Sequence, residues 1–127
     1  AAKDSTFGGS SVNFELTNCP PSVNKVTPLF LATNDIDRIT KPGTGLLNIR
    51  QNTGDARGVR IEMLNSPANG LTEIDLGGVA GSQKVSSFTI DPATHSGAGY
   101  YVARYYSAGN VSAGKVHATL MYSMIYE

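Results

Sequence analysis

The chain closes on a segment in which every second residue is apolar. In "AGKVHATLMYSMIYE" the alternation begins after Gly114 and continues to the penultimate residue, Tyr126. A period of two predicts a β-strand with one buried face, because successive side chains of a strand point to opposite sides of the sheet. Chain ends usually fray and turn polar, whereas this one has the pattern of a half-buried strand, so something must cover its apolar face. Its apolar positions are Val116, Ala118, Leu120, Tyr122, Met124 and Tyr126.

Similar period-two segments recur along the chain between short turns. With the closing segment 114–126, strands are predicted at 11–18, 23–32, 45–51, 58–64, 71–76, 84–90 and 99–109, and a loop at 33–45. Pro28 cannot donate a ladder hydrogen bond, so its segment is expected at a sheet edge or a bulge. Asn69-Gly70 predicts a hairpin connection. We therefore predict an all-β fold, an immunoglobulin-like antiparallel β-sandwich, with a closed barrel as the structural alternative.

Length and charge limit the possible partners. The 127 residues predict a single domain, 1–127, with an irregular start over 1–11. Ten basic and ten acidic residues give a net charge of zero, and no basic stripe of the kind that nucleic-acid binding requires is present. No apolar run approaches the roughly 18 residues of a membrane span. We expect neither nucleic acid nor membrane insertion.

The residues that carry chemistry are few. His95 and His117 lack neighbours at metal-ligand spacing. Asp35 and Asp37 offer oxygens to a cation, but without the glycine and glutamate of a calcium loop they are expected in a solvated loop. Cys19 precedes two prolines and has no evident base, so we interpret it as half of a disulfide whose other half lies outside this sequence. The chain is predicted to be neither an enzyme nor a cofactor-binding protein.

The end of the chain resembles that of chaperone–usher pilins, the subunits of bacterial fimbriae. These share a C-terminal strand with a penultimate tyrosine, here Tyr126, and a glycine about a dozen residues earlier, here Gly114. "FELTNC" resembles the pilin strand that ends in the second cysteine, and "GVRIEML" and "YYVARYYSAGNVSAG" resemble two further strands. The resemblance covers roughly residues 10–127. A pilin normally begins with an alternating extension and a first strand carrying the other cysteine; "AAKDSTFGGSS" resembles neither, so we expect that this segment is missing or belongs to another chain.

The resemblance implies a sandwich that lacks its seventh strand and is completed by a donor strand. A periplasmic chaperone would fill the resulting groove first, and the N-terminal extension of a neighbouring subunit would replace it, with the outer-membrane usher as a further partner. The protein would then be a structural subunit of an extracellular fimbrium that polymerises by donor-strand complementation and supports adhesion. Its expected groove residues are Gly114, Val116, Ala118, Leu120, Tyr122, Met124 and Tyr126. An isolated chain is expected to be poorly stable and prone to self-association.

Two alternatives remain open at this point. One is an adhesin or carbohydrate-binding β-sandwich module at a fimbrial tip, for which Tyr100, Tyr101, Tyr105 and Tyr106 would supply aromatic surface. As strand residues, one of each tyrosine pair is expected in the core. The other alternative is a plain β-sandwich without strand exchange, which requires this same chain to cover its last strand.

Overall fold

The period-two segments form the strands of two antiparallel sheets. The computed structural model describes residues 2–31 and 35–127. The strands are β1 Thr6–Leu16, β2 Lys25–Leu31, β3 Ile36–Asp37, β4 Leu46–Leu47, β5 Arg57–Asn65, β6 Phe88–Thr89, β7 Gly97–Ser112 and β8 Met121–Tyr126, and a 3₁₀ turn spans Pro67–Asn69. A five-stranded sheet has the order β1-β7-β5-β4-β3, and a three-stranded sheet has the order β6-β2-β8. The predicted all-β antiparallel architecture is confirmed.

The large sheet is built around the longest strand, β7, which lies between β1 and β5. Regular pairing of β1 with β7 begins at Thr6, so the irregular start expected over 1–11 is shorter in the structure. The register shifts between Phe7 and Ser10, where Gly8 adopts a φ of 64°. This bulge breaks the alternation of the sequence, which is why the pattern alone did not reveal the first part of the strand.

Pro28 lies in the middle strand of the small sheet, where the register with β8 is unbroken, so the prediction of a sheet edge or a bulge was wrong. Lys25 and Glu127 exchange backbone hydrogen bonds of 3.0 and 2.9 Å. Hydrogen-bonded pairs recur at every second position of an antiparallel ladder, so Pro28, opposite Met124, is a non-bonded position and its nitrogen points away from β8. On that other side β6 pairs only with Lys25 and Val26, so a proline costs no ladder bond.

Several predicted strands are shorter than expected. Only Phe88–Thr89 forms within 84–90 and only Leu46–Leu47 within 45–51, while 71–76 contributes a single bridge between Glu73 and Leu64. The loop predicted at 33–45 contains β3, and residues 32–34 lie outside the described part of the chain. Side chains replace backbone partners here: the Asn65 amide donates to the Lys84 carbonyl and accepts from the Ser86 N–H. The chain does reverse at Asn69-Gly70, through the 3₁₀ turn.

The core lies between the two sheets. Tyr101 is buried there, its hydroxyl donating to the Ser86 carbonyl at 2.5 Å, and burial raises its pKa to about 12. Burying such side chains contributes about 1.5–3 kcal/mol each. The main cluster contains Phe14, Cys19, Val26, Phe30, Leu47, Met63, Ile74, Leu76, Phe88, Ile90 and Tyr101.

A buried carboxylate ties the segment 37–45 to the outer face of the large sheet. Glu62, which is fully buried on β5, accepts hydrogen bonds from Lys41 Nζ at 2.5 Å and from Arg104 Nε at 2.7 Å. Asp37 accepts from Arg60 Nε at 2.8 Å. Burial alone would raise the pKa of Asp37, but hydrogen bonds from Thr40, Ile39 and Arg60 outweigh it and hold the pKa well below its usual range.

Candidate functional site

The closing strand β8 is shorter than the segment 114–126 that the alternation predicted. Regular pairing with β2 covers only Met121–Tyr126. The preceding residues pair elsewhere: the Ala56 N–H donates to the Lys115 carbonyl at 2.9 Å and the Arg50 N–H to the His117 carbonyl at 2.7 Å. The terminal segment is therefore held along one side by two different parts of its own chain.

No strand of the described residues pairs with the other side of β8. Because Lys25 and Glu127 form a bonded pair, the backbone groups of Ile125 and Ser123 also face β2, and those of Tyr122, Met124 and Tyr126 face away from it. Within residues 2–31 and 35–127, β8 has β2 as its only strand neighbour. The structure thus presents a row of backbone N–H and C=O groups that is open to another strand.

Part of the alternating face of the terminal segment contacts the core, but its side chains are poorly covered. Ala118, Leu120 and Met124 are half-buried against the main cluster. Tyr122 places its ring 4.7 Å from that of Phe14, in an edge-on contact, and is still 54 % exposed. Val116 and Tyr126 are also exposed.

The opposite wall of this opening is β1, an edge strand of the large sheet. The Phe14–Tyr122 contact joins the two edges. Between them lies the inner face of the large sheet, where Ile61, Ala103 and Tyr105 are only half-buried. We call the opening between β8 and β1 the groove. It is bordered by Val12, Phe14, Ile61, Ala103, Tyr105, Ala118, Leu120, Tyr122, Met124 and Tyr126.

The contribution of the large sheet to the groove was missed by sequence reasoning. The signal was present in the period-two pattern. Ala103 and Tyr105 lie two and four residues after the buried Tyr101, on the same face of β7, and Ile61 lies two residues before the buried Met63 on β5. Period two shows which residues share a face. It does not show which of two sheets stays uncovered.

A cavity of about 370 Å³ lies at the Tyr126 end of the groove. Cys19 lines it, is 9 % exposed and is a free thiol. Its backbone N–H donates to the His95 carbonyl at 2.8 Å, which fixes the end of the strand β1 at this corner. The remaining lining residues are Leu16, Thr17, Asn18, Pro20, Val23 and Tyr126.

Gly114 lies at the other end, against the turn 54–56. A Cβ at this position would come within 2.4 Å of the Ala56 nitrogen, so the close approach of two backbones requires glycine there. The turn is held by Asp55, which accepts from Arg50 Nε and Nη2 at 2.9 Å each. The hydrogen bond from Arg50 lowers the pKa of Asp55 to about 2.

The remaining residues that could carry chemistry do not form a site in the described part of the chain. Across the described residues no three His, Cys, Asp or Glu side chains lie close enough to hold a metal ion. Of the two tyrosine pairs, Tyr101 and Tyr106 are buried, whereas Tyr100 is 56 % exposed and Tyr105 borders the groove. Among the described residues, no helix has the length and apolar character needed to span a bilayer.

Comparisons with known proteins bear on the family and the fold of the chain. Residues 1–127 match the family model of FimA, the type-1 fimbrial protein A. The fold is similar to that of the antigen and type I fimbria protein BPSL1626 of Burkholderia pseudomallei, with a TM-score of 0.63 and 21 % identity over 99 % of this chain and 73 % of that one. It is also similar to the CupB6 tip adhesin of Pseudomonas aeruginosa, with a TM-score of 0.64 and 16 % identity over 95 % of this chain and 31 % of that one. No curated protein sequence matches the chain significantly.

The family match extends over every residue of the sequence. It confirms the resemblance carried by the terminal strand, and both structural relatives have names that refer to fimbriae or adhesion. The chain therefore belongs to the family of type-1 fimbrial proteins.

Proposed function

We propose that the groove accepts a β-strand donated by another polypeptide, and that the protein is a fimbrial subunit that polymerises through this exchange. The observation that carries the proposal is the open edge of β8. Backbone groups of Tyr122, Met124 and Tyr126 face away from β2, directly above apolar side chains that remain half-buried. A strand bound along this edge would form hydrogen bonds with those backbone groups and would cover those side chains.

The two kinds of contact do different things. Main-chain hydrogen bonds pair any extended segment, whereas the apolar floor selects a donor whose side chains alternate with a matching period. About five donor side chains buried at roughly 1.5–3 kcal/mol each give on the order of 8–15 kcal/mol before ordering costs. This is comparable with the stability of a whole domain, so a fibre held in this way needs no covalent links between subunits.

The family is one of fimbrial subunits, which assemble with one another into a surface appendage. We propose the finer sequence of events that the resemblance implies. A periplasmic chaperone donates the first strand, and the outer-membrane usher is the place where the extension of the next subunit replaces it. The insertion is head-to-tail and heterologous, and therefore generates an open filament. Cys19 is proposed to pair with a cysteine outside this sequence.

A peptide of alternating apolar residues tests the groove directly. We expect it to raise the melting temperature of the chain, because a ligand that binds only the folded state stabilises it by about 2.7 kcal/mol at a hundred times its Kd. Leu120→Asp should abolish the shift, since the half-buried Leu120 faces the groove. His117→Asp is the matched control, because His117 is exposed and does not belong to the alternating set of positions that contains Leu120.

Two results would contradict the proposal. One is the absence of a melting shift in the unsubstituted chain at saturating peptide. The other is an equal loss of the shift in Leu120→Asp and His117→Asp, which would show that the alternating face does not contact the donor.

A second candidate is an adhesin module at a fimbrial tip. The likeness to part of a tip adhesin and the exposed ring of Tyr100 favour it. A glycan array with the chain, and with Tyr100→Ala as control, tests it; specific binding that depends on Tyr100 would support this candidate over a purely structural subunit.

A further inference from the structure

The charges of this neutral chain are divided between its two ends. The strand β7 runs the length of the large sheet, from Gly97 beside Leu16 to Ser112 beside Arg57. The groove runs the same way, since Tyr126 shares a cavity with Leu16 and Lys115 bridges to Asp55 next to Arg57. We call the first end the acidic pole and the second the basic pole.

The acidic pole carries three carboxylates and one cation. Glu15 and Asp91 are exposed and line one depression of about 730 Å³, together with hydroxyl side chains such as that of Thr94. Glu127 lies at the end of β8, with Lys25 at 3.7 Å. The net charge of this end is −2, and both carboxylates in the depression face solvent without an ion pair among the described residues.

The basic pole carries four cations and two carboxylates. Arg57 and Lys115 are exposed and form no salt bridge with a carboxylate in the part of the chain that the structure describes, although the charge of Arg57 acts on nearby Asp55. Arg50 is paired with Asp55. The other charges at this end are Lys3 and Asp4, the latter accepting from the Tyr106 hydroxyl at 3.0 Å. The net charge is +2, and the remaining five cations and five carboxylates of the chain cancel.

We propose that the acidic pole of one copy docks on the basic pole of the next, with Arg57 or Lys115 entering the depression beside Glu15 and Asp91. The proposal rests on the proposed function, because insertion of a strand along the groove arranges copies head-to-tail and brings unlike poles together. Charge complementarity of this kind speeds the encounter and fixes the relative orientation. Two like poles repel, so the same charges disfavour a reversed neighbour.

The test measures association of the full chain after its groove has been filled with the uncharged alternating peptide, so that strand exchange is blocked. We expect sedimentation velocity to show end-to-end association at about 0.01 M salt that weakens about tenfold or more by 0.15 M, as the Debye length falls from about 30 to 8 Å. Arg57→Glu/Lys115→Glu should abolish self-association, as should Glu15→Lys/Asp91→Lys. An equimolar mixture of these two variants should associate again, because each supplies the pole that complements the other.

Arg38→Glu/Lys84→Glu is the matched control: both residues are exposed and belong to neither pole, and the change in net charge is the same as in the basic-pole variant. Self-association that survives reversal of either pole, or a mixture that fails to associate, would overturn the proposal. So would a complete lack of association at low salt. The peptide melting shift reports separately on the groove: pole variants should retain it, and if the peptide does not bind at all, the proposed function fails while the charge-swap mixture still tests the poles.

Discussion

The side-chain amide of Gln83 donates to the Phe30 carbonyl at 2.8 Å, and its oxygen accepts from the Phe30 N–H at 3.0 Å. A neighbouring strand would make the same two bonds. Asn65 acts in a similar way towards Lys84 and Ser86. Since buried backbone groups must be paired, these two amides allow the strands around them to be short. At the scale of single residues, the fold depends on side chains that replace backbone.

Gln83→Ala should therefore destabilise the chain by about 2–4 kcal/mol, because it leaves the buried N–H and C=O of Phe30 without partners. Gln51→Ala is the control: Gln51 is exposed, donates to the Ile49 carbonyl at 3.2 Å and accepts from Arg57, and its loss should cost less than about 1 kcal/mol. Urea denaturation of both variants measures the difference. A cost for Gln83→Ala no larger than that for Gln51→Ala would show that the Phe30 groups find other partners.

At the scale of elements, the sequence predicted the face of β8 but not its neighbours. The alternation in 114–126 correctly assigned Ala118, Leu120 and Met124 to the core side, because period two is a local property. No local pattern encodes the neighbours of the terminal segment, because they are distant in the sequence: β2 pairs with Met121–Tyr126, and residues 50–56 pair with the residues before them. For the same reason, the residues of the large sheet that border the groove were missed.

The open edge predicts a period-two pattern in the backbone of a donor. In a bound alternating peptide, N-methylation of an amide that faces β8 removes one hydrogen bond and should weaken binding about tenfold, which corresponds to about 1.4 kcal/mol. Methylation of the next amide, which points away, should change the affinity little. Calorimetry on a series of singly methylated peptides measures the affinity lost at each position. Equal losses at successive positions would exclude pairing along the edge of β8.

At the scale of the whole molecule, partnered carboxylates make the fold sensitive to acid. The pKa of Asp37, Asp55 and Glu73 is lowered in the folded chain, that of Asp55 to about 2 by Arg50 and that of Glu73 by Lys41. The unfolded chain, with ordinary pKa values near 4, then binds more protons than the folded one in acid. The stabilisation that these three carboxylates contribute is thus fully present above about pH 4 and is lost as the pH falls towards 2.

Urea midpoints between pH 7 and pH 2 test this expectation. Asp55→Asn should lower the midpoint at pH 7 and reduce its decline in acid, because the substituted residue no longer takes up a proton. Glu15→Gln, at an exposed position, should keep the decline of the unsubstituted chain. Parallel curves for all three proteins would mean that the pairing of Asp55 with Arg50 does not contribute to acid sensitivity.

The architecture followed from sequence more readily than its details. Alternation, turn residues and the absence of helical periodicity were enough to predict an all-β antiparallel fold, and the order of a few motifs was enough to predict the family. The lengths of β6 and β8 were not predictable, because they depend on where Gln83, Asn65 and Gly114 meet distant backbone.

Because Gln83 occupies one side of β2, it limits the number of sheet edges at which a monomer can accept a strand during polymer growth. The small sheet has two edges, and this side chain, together with the very short β6, blocks one of them. If β8 is the acceptor proposed above, each monomer then offers one acceptor edge in this sheet and not two. A monomer with a single acceptor edge can receive only one donor strand, so the polymer grows linearly. A branch point would first require the hydrogen bonds between the Gln83 amide and Phe30 to break.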